Sequence, residues 1–196
     1  ISSWDVSNVT SMGNLFDSNT SFNGDISNWN VSNVTNMSKM FQGANGFHGD
    51  ISGWDVSSVT NMHRMFLNNR ADFDGDLSSW DVSNVTNMSQ MFQTSYSGKP
   101  NPNLGNWSFA ADCNMTGMLT GMTDFTGDGV STWDVSNLTS TASLFESCSS
   151  FNADLSNWDI SNITNMTKMF KSASSFTGDG LSTWDVSHVT NMSEMF

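Results

Sequence analysis

Tryptophan recurs at a nearly constant interval along the whole chain of 196 residues. A period of about 25 residues is typical of architectures in which each unit packs against its neighbours, because so small a unit cannot bury its apolar side chains alone. The sequence therefore predicts eight stacked repeats in a single solenoid domain over residues 1–196, irregular around 97–122 and truncated at both ends. The eight indoles that set the period are Trp4, Trp29, Trp54, Trp80, Trp107, Trp133, Trp158 and Trp184.

The first part of each repeat has the pattern of a strand. In the second repeat, Trp29 and Val31 alternate with the polar residues Asn30 and Ser32. Alternation with period two is typical of a short strand with one buried face. We therefore expect one short parallel strand per coil.

The second part of each repeat has the spacing of a helix. Val34, Met37, Met40 and Phe41 lie three or four residues apart, so they would share one face of a short helix. Thr35, just before this stripe, is a candidate N-cap. The predicted fold class is an α/β, right-handed, leucine-rich-repeat-like solenoid with one short parallel strand and one short helix per coil.

A Phe-x-Gly-Asp segment closes most repeats. Glycine tolerates positive φ and aspartate bonds nearby amides, so the segment predicts a corner that returns the chain to the next coil. A calcium site at these corners is an alternative, although the aspartates already have a structural use there. The segments run over 22–25, 47–50, 73–76, 125–128 and 176–179, with Ala153 in place of glycine over 151–154.

The charge balance argues against several partners. The chain has six basic and nineteen acidic residues, for a net charge of −13. Nucleic acids and anionic membranes need clustered cations, so neither is expected as a partner. No apolar run reaches the roughly 20 residues of a membrane span, so none is expected. The two cysteines, Cys113 and Cys148, fall at different repeat positions, and unpaired thiols are favoured over a disulfide.

The string Trp-Asp-Val-Ser-Asn-Val-Thr-Asn-Met, whole at 80–88, closely resembles a bacterial surface-protein repeat of about 26 residues. That repeat occurs in lipoprotein-associated domains of mycoplasmas and listeriae and is related to leucine-rich-repeat surface proteins. The resemblance covers essentially the whole chain and implies a secreted or cell-surface solenoid without a shared catalytic site. Similar repeats occur in antifreeze proteins of polar microalgae.

Catalytic chemistry is not expected. His48, His63 and His188 lie at three different offsets within their repeats, so stacking would not bring them together. The sequence holds no nucleophile motif, no phosphate-binding glycine loop and no metal-ligand spacing. We therefore expect a protein that is not an enzyme and has neither a cofactor nor a metal.

Stacking would instead align small polar residues on the surface. Asp5 and its equivalents would form an acidic ladder that either binds cations or is satisfied by nearby serine and backbone donors. Threonine and serine ladders could serve the fold alone or bind a ligand. The candidate binding face consists of Thr10, Thr35, Thr60, Thr86, Thr139, Thr164, Thr190, Ser7, Ser32, Ser57, Ser83, Ser136, Ser161 and Ser187.

A rigid array of hydroxyl and amide groups could order water in register with a crystal. The leading hypothesis is therefore a monomeric, extracellular ice-binding (antifreeze) protein. The alternative is a cell-surface adhesion or protein-interaction module whose partner is a surface or host protein.

Overall fold

Successive repeats stack in parallel and in register. The computed structural model describes residues 1–69, 75–94 and 101–196. Isolated parallel β-bridges join residues that lie seven positions after each tryptophan, and each of the intervals between them is 25 to 27 residues. We call each turn of chain that begins three residues before a tryptophan a coil. The bridges of this column are Ser11 with Asn36, Asn36 with Asn61, Asn61 with Asn87, Asn87 with Asn114, Ser140 with Asn165, and Asn165 with Asn191.

Within a coil the chain is a succession of β-turns. In the second coil the amides of Trp29, Val34, Met40 and Phe47 each donate to the carbonyl three residues earlier, at 2.8–3.2 Å. A hydrogen bond between residues i and i+3 defines a tight turn. The chain therefore changes direction every few residues instead of running straight.

Alternate backbone amides donate hydrogen bonds to carbonyls of the next coil. The amides of Met37, Lys39, Phe41 and Gly43 donate to carbonyls of residues 61, 63, 65 and 67, at 2.8–2.9 Å. Since both kinds of amide have partners, the segment satisfies its backbone without regular secondary structure.

The predicted α/β solenoid, with a strand and a helix in every coil, is wrong. The described residues contain no α-helix and no extended strand, only isolated bridges and two 3₁₀ helices, Val130–Thr132 and Leu181–Thr183. Met37, Met40 and Phe41 are buried as the helical spacing predicted, but their segment is made of turns. Thr35 is not a helix cap, because its hydroxyl donates to the Thr10 carbonyl of the preceding coil at 3.1 Å.

Left-handed residues explain why no helix forms. The residue ten positions after each tryptophan has positive φ, for example 57° at Lys39, 56° at Arg64 and 58° at Gln90. A left-handed residue cannot continue a right-handed helix, and it costs about 1–2 kcal/mol when it is not glycine. We call these equivalent positions the left-handed column: Asn14, Lys39, Arg64, Gln90, Gly117, Ser143, Lys168 and Glu194.

The core consists of aligned apolar side chains. Six of the eight tryptophans are buried, as predicted, whereas Trp184 is half-buried and Trp4 is 60% exposed at the first coil. Rings of adjacent coils lie nearly parallel, with centroids 6.1 Å apart for Trp107 and Trp133 and 5.6 Å apart for Phe41 and Phe66. The buried residues form one continuous cluster.

The fifth and seventh coils have 26 residues, one more than a coil of 25, and each ends in a glycine with positive φ. Gly129 and Gly180 precede the two 3₁₀ helices with φ of 83° and 88°. A Cβ at Gly180 would collide with the backbone nitrogen of Ser156, near the start of the same coil. These positions therefore require glycine both for the close approach and for the backbone conformation.

Two features named from the sequence lie partly outside the described residues. They are Phe73 and Asp74 of the third corner, and Lys99 and Pro100 of the insertion before the fifth coil. No helix among the described residues is long and apolar enough to cross a membrane.

Candidate functional site

The threonine ladder is a column of exposed side chains at the position six residues after tryptophan. All seven of its threonines, Thr10, Thr35, Thr60, Thr86, Thr139, Thr164 and Thr190, are exposed. In five of them the hydroxyl donates to the carbonyl of the equivalent threonine in the preceding coil, at 3.1–3.4 Å. The amides of the same five residues donate to the same carbonyls at 2.9 Å. Each of these hydroxyls is thus held in one orientation, with its oxygen still able to accept.

Asparagine side chains next to the threonine ladder also bond across coils. Nδ2 atoms of Asn33, Asn84 and Asn162 donate to the carbonyls of Ser7, Ser57 and Ser136, at 2.7–2.9 Å. These asparagines begin Asn-x-Thr triplets. Because the amide group is engaged with the backbone, the triplets have a structural use.

The serines of the predicted face are engaged differently. The amides of all seven donate to the Asp or Asn side chain two residues earlier, at 2.9–3.2 Å. In five of them, Ser7, Ser32, Ser57, Ser83 and Ser136, the hydroxyl donates to the same oxygen at 2.6–2.7 Å. These serines close local turns, so the structure does not group them with the threonine hydroxyls in one hydrogen-bonded array.

The same bonds stabilise the acidic ladder. Hydrogen bonds from Ser7 hold the pKa of Asp5 below its usual value, and those from Ser57 do the same for Asp55. Donors to the charged form favour it, so these hydrogen bonds stabilise the carboxylates of Asp5 and Asp55. No group of three or more His, Cys, Asp or Glu side chains that could hold a metal ion occurs in the described part of the chain.

The fifth coil interrupts the threonine ladder. Cys113 takes the threonine position, is buried, and directs its amide to the Ala110 carbonyl within its own coil at 3.1 Å. Asn114 instead donates to the Thr86 carbonyl at 3.0 Å. The ladder therefore has four consecutive threonines before the gap and three after it.

The two cysteines and two of the three histidines, His63 and His188, have structural partners, whereas the His48 side chain is exposed. Both cysteines are free and buried, and burial raises the pKa of each thiol to about 12. His63 Nδ1 lies 2.8 Å from Ser89 Oγ, and burial together with the neighbouring Arg64 lowers its pKa. His188 Nε2 lies 3.0 Å from the Ile160 carbonyl oxygen. Thiols held neutral by burial are inert, which matches a packing role for both cysteines.

One protein family matches the chain. A sequence model described as "Mycoplasma protein of unknown function, DUF285" matches twice, over residues 1–107 and 95–196. The chain belongs to this family. The two matches together span all eight tryptophans. Neither the search of curated proteins nor the search of solved structures found a match.

Proposed function

We propose that the chain is a non-enzymatic extracellular protein that binds ice through its threonine ladder. The observation that carries this proposal is the hydrogen bond that five of the seven threonine hydroxyls donate to the coil before them. It removes rotational freedom from an exposed side chain, so an ordered surface exists before ligand binds. Preorganisation lowers the entropic cost of binding. The resemblance of the repeat to microalgal antifreeze repeats supports the same function.

The ladder suits a periodic target because its own groups recur once per coil. Five of the seven hydroxyls have already donated their proton to a carbonyl, so they would meet the first layer of ordered water as acceptors. A single such contact is weak, but contacts made simultaneously by one rigid body reinforce one another. The four threonines from Thr10 to Thr86 form the longest uninterrupted stretch and are expected to dominate.

The test compares two substitutions of equal charge at exposed positions. Thr60→Lys places a bulky cation in the middle of the ladder. His48→Lys places the same side chain at the corner of the second coil, where the His48 side chain is exposed. Thermal hysteresis and ice-crystal shape are measured on both variants and on the unmodified protein.

Thr60→Lys is expected to remove most of the thermal hysteresis while the melting temperature changes little. His48→Lys is expected to retain it. Ordinary ice growth with concentrated unmodified protein, or equal loss in the two variants, would count against the threonine ladder as the ice-binding surface.

A second candidate function is adhesion at a cell surface, which the resemblance of the repeat to bacterial surface-protein repeats favours. Stacked coils offer a long continuous surface of the kind that repeat proteins use for recognition. Surface plasmon resonance against immobilised extracellular-matrix proteins tests it. Saturable binding by a protein without thermal hysteresis would favour adhesion over ice binding.

A further inference from the structure

A hollow of about 350 Å³ interrupts the surface at the fifth coil. Gln90 and Gln93 of the fourth coil, Gly117 and Thr120 of the fifth, and Glu146 of the sixth are among the residues that line it. We call it the polar hollow. Its volume lies at the lower end of the roughly 300–1,000 Å³ typical of small-molecule sites.

The polar hollow exists because the fifth coil lacks a side chain in the left-handed column. Gln90 and Ser143 occupy this column in the adjacent coils, with φ of 58° and 55°, and Gly117 has φ of 63°. The backbone path is therefore the same in all three coils, and only the side chain is missing. Three residues later, Thr120 is also shorter than its neighbours Gln93 and Glu146. A local loss of side-chain volume, not a change of fold, makes the space.

The polar groups around the hollow are mostly neutral. Gln90 Oε1 accepts from Arg64 Nε at 2.6 Å, which fixes that amide group. Among the described residues, Gln93 Oε1 is buried and has no hydrogen-bond partner, and the same holds for Gln42 Oε1 at the equivalent position of the second coil. This unpartnered acceptor is therefore a feature of the repeat, and it is too enclosed to pair with a ligand in the hollow. Glu146 is the one charged side chain among the described residues of the lining.

We propose that the polar hollow binds a neutral polyhydroxylated ligand of the saccharide class. A hydroxyl group both donates and accepts, so it can pair with an amide nitrogen and with the carboxylate of Glu146. The same carboxylate disfavours an anionic ligand. No aromatic ring lines the described part of the hollow, so binding rests on hydrogen bonds, and its affinity is expected to be roughly millimolar.

Filling the hollow without disturbing the fold tests the proposal. Gly117→Gln gives the fifth coil the side chain that Gln90 carries at the equivalent position. A Cβ at residue 117 would lie 3.2 Å from Thr120 Oγ1 and 3.7 Å from Gln90 Cγ, with no backbone atom nearer. The matched control is Lys39→Gln, which makes the same residue in the same column of the second coil.

Amide NMR spectra are recorded during titration with maltose, with glucose and spermidine as further probes. Maltose is expected to shift the amide resonances of Gln90, Gln93 and Gly117 saturably. The shifts should be lost in Gly117→Gln and retained in Lys39→Gln. Glu146→Gln, which removes the carboxylate that accepts from the sugar hydroxyl, should weaken binding about tenfold.

Three results would overturn the proposal: no saturable shift with either sugar up to its solubility limit, shifts that persist unchanged in Gly117→Gln, or binding of spermidine in place of the sugars. Because the ice-binding proposal is tested by thermal hysteresis at the threonine ladder, neither result of the sugar titration supports or contradicts it.

Discussion

Each buried tryptophan makes two kinds of contact with neighbouring coils. Its ring stacks in the core, and its indole nitrogen donates to the carbonyl of the residue three positions before the preceding tryptophan. Trp107 Nε1, for example, donates to the Leu77 carbonyl at 3.0 Å, and Trp158 Nε1 to the Val130 carbonyl at 3.0 Å. A buried indole needs such a partner. One residue type therefore serves both packing and register.

Trp107→Ala should destabilise the protein strongly. Trp107 is 1% exposed, and its loss creates a cavity and removes one of the two donors to the Leu77 carbonyl, the other being the Trp80 amide. Removing a large buried aromatic side chain costs about 3–5 kcal/mol. Trp4→Ala is the control, because Trp4 is 60% exposed. Urea denaturation should show a loss below about 1 kcal/mol for the control, and equal losses would contradict the packing described.

Alanine substitutions at two glycines with positive φ distinguish the cost of backbone strain from the cost of a steric collision. At Gly43 (φ 62°) a Cβ would meet nothing closer than 3.7 Å, so Gly43→Ala should cost only the left-handed penalty of about 1–2 kcal/mol. At Gly121 (φ 78°) a Cβ would collide with the Thr94 carbonyl oxygen. Gly121→Ala should therefore lower the thermal midpoint further than Gly43→Ala does, and the reverse order would be inconsistent with this coil spacing.

At the scale of the element, the sequence predicted which positions are buried but not the conformation of their backbone. Met37, Met40 and Phe41 have the spacing of a helix, and the turn-built segment buries the same positions. Apolar spacing alone cannot separate these two conformations. The distinguishing signal is the left-handed column, which sequence reasoning missed because Lys39, Arg64 and Gln90 are not the glycines that usually indicate positive φ.

Circular dichroism and hydrogen exchange can test the turn-built segment. Because the described residues contain no α-helix, the far-ultraviolet spectrum should lack the double minimum of a helix. Amides of Met37 and Phe41, which bond the next coil, should exchange only when coils separate. A strong helical spectrum would contradict the turn assignment.

Acid should weaken the turns that aspartate closes. The pKa values of Asp25, Asp50, Asp55 and Asp76 are lowered chiefly by hydrogen bonds from the serine two residues later. A carboxyl whose folded pKa is depressed contributes stability above its unfolded pKa of about 3.9, and this is lost as pH falls through the folded value. Chemical denaturation followed from pH 6 downward should therefore show falling stability below about pH 4.

Asp55→Asn separates this effect from general acid unfolding. Asn30 occupies the equivalent position naturally and accepts from Ser32 at 2.7 Å, so asparagine keeps the turn. The variant should lose less stability in acid than the unmodified protein does. An identical acid profile would show that Asp55 contributes nothing to it.

At the scale of the whole molecule, contacts between coils are repeated in register, so an entire coil should be removable. Deleting residues 29–53 takes out one tryptophan period and joins equivalent positions. The shortened protein should fold cooperatively with a lower melting temperature, because stability in such chains is roughly a sum over units and their interfaces. Deleting residues 29–40 breaks the register and should prevent folding. Calorimetry on both deletions compares them, and equal behaviour would contradict the stacking.

The candidate surface was predictable only in part. The nearly constant spacing of the repeats predicted that the exposed threonines lie in one column, because stacking repeats of similar length aligns equivalent residues. It could not show that serines such as Ser57 close turns on Asp55, since that bond depends on local geometry. It also gave no signal for the polar hollow, because Gly117 differs from its neighbours only by an absent side chain.

The backward direction of the indole hydrogen bonds bears on how the protein is made. When a coil leaves the ribosome, the carbonyl that its tryptophan needs belongs to the coil synthesised just before it, as with Trp133 and Leu104. Its threonine finds an acceptor on the same older coil, as Thr60 does on Thr35. Every new unit thus finds acceptors for these two groups on the coil made before it, and in return supplies the carbonyls that amides of the older coil, such as Met37, need. The chain can therefore add units in the order of translation without waiting for its carboxyl end.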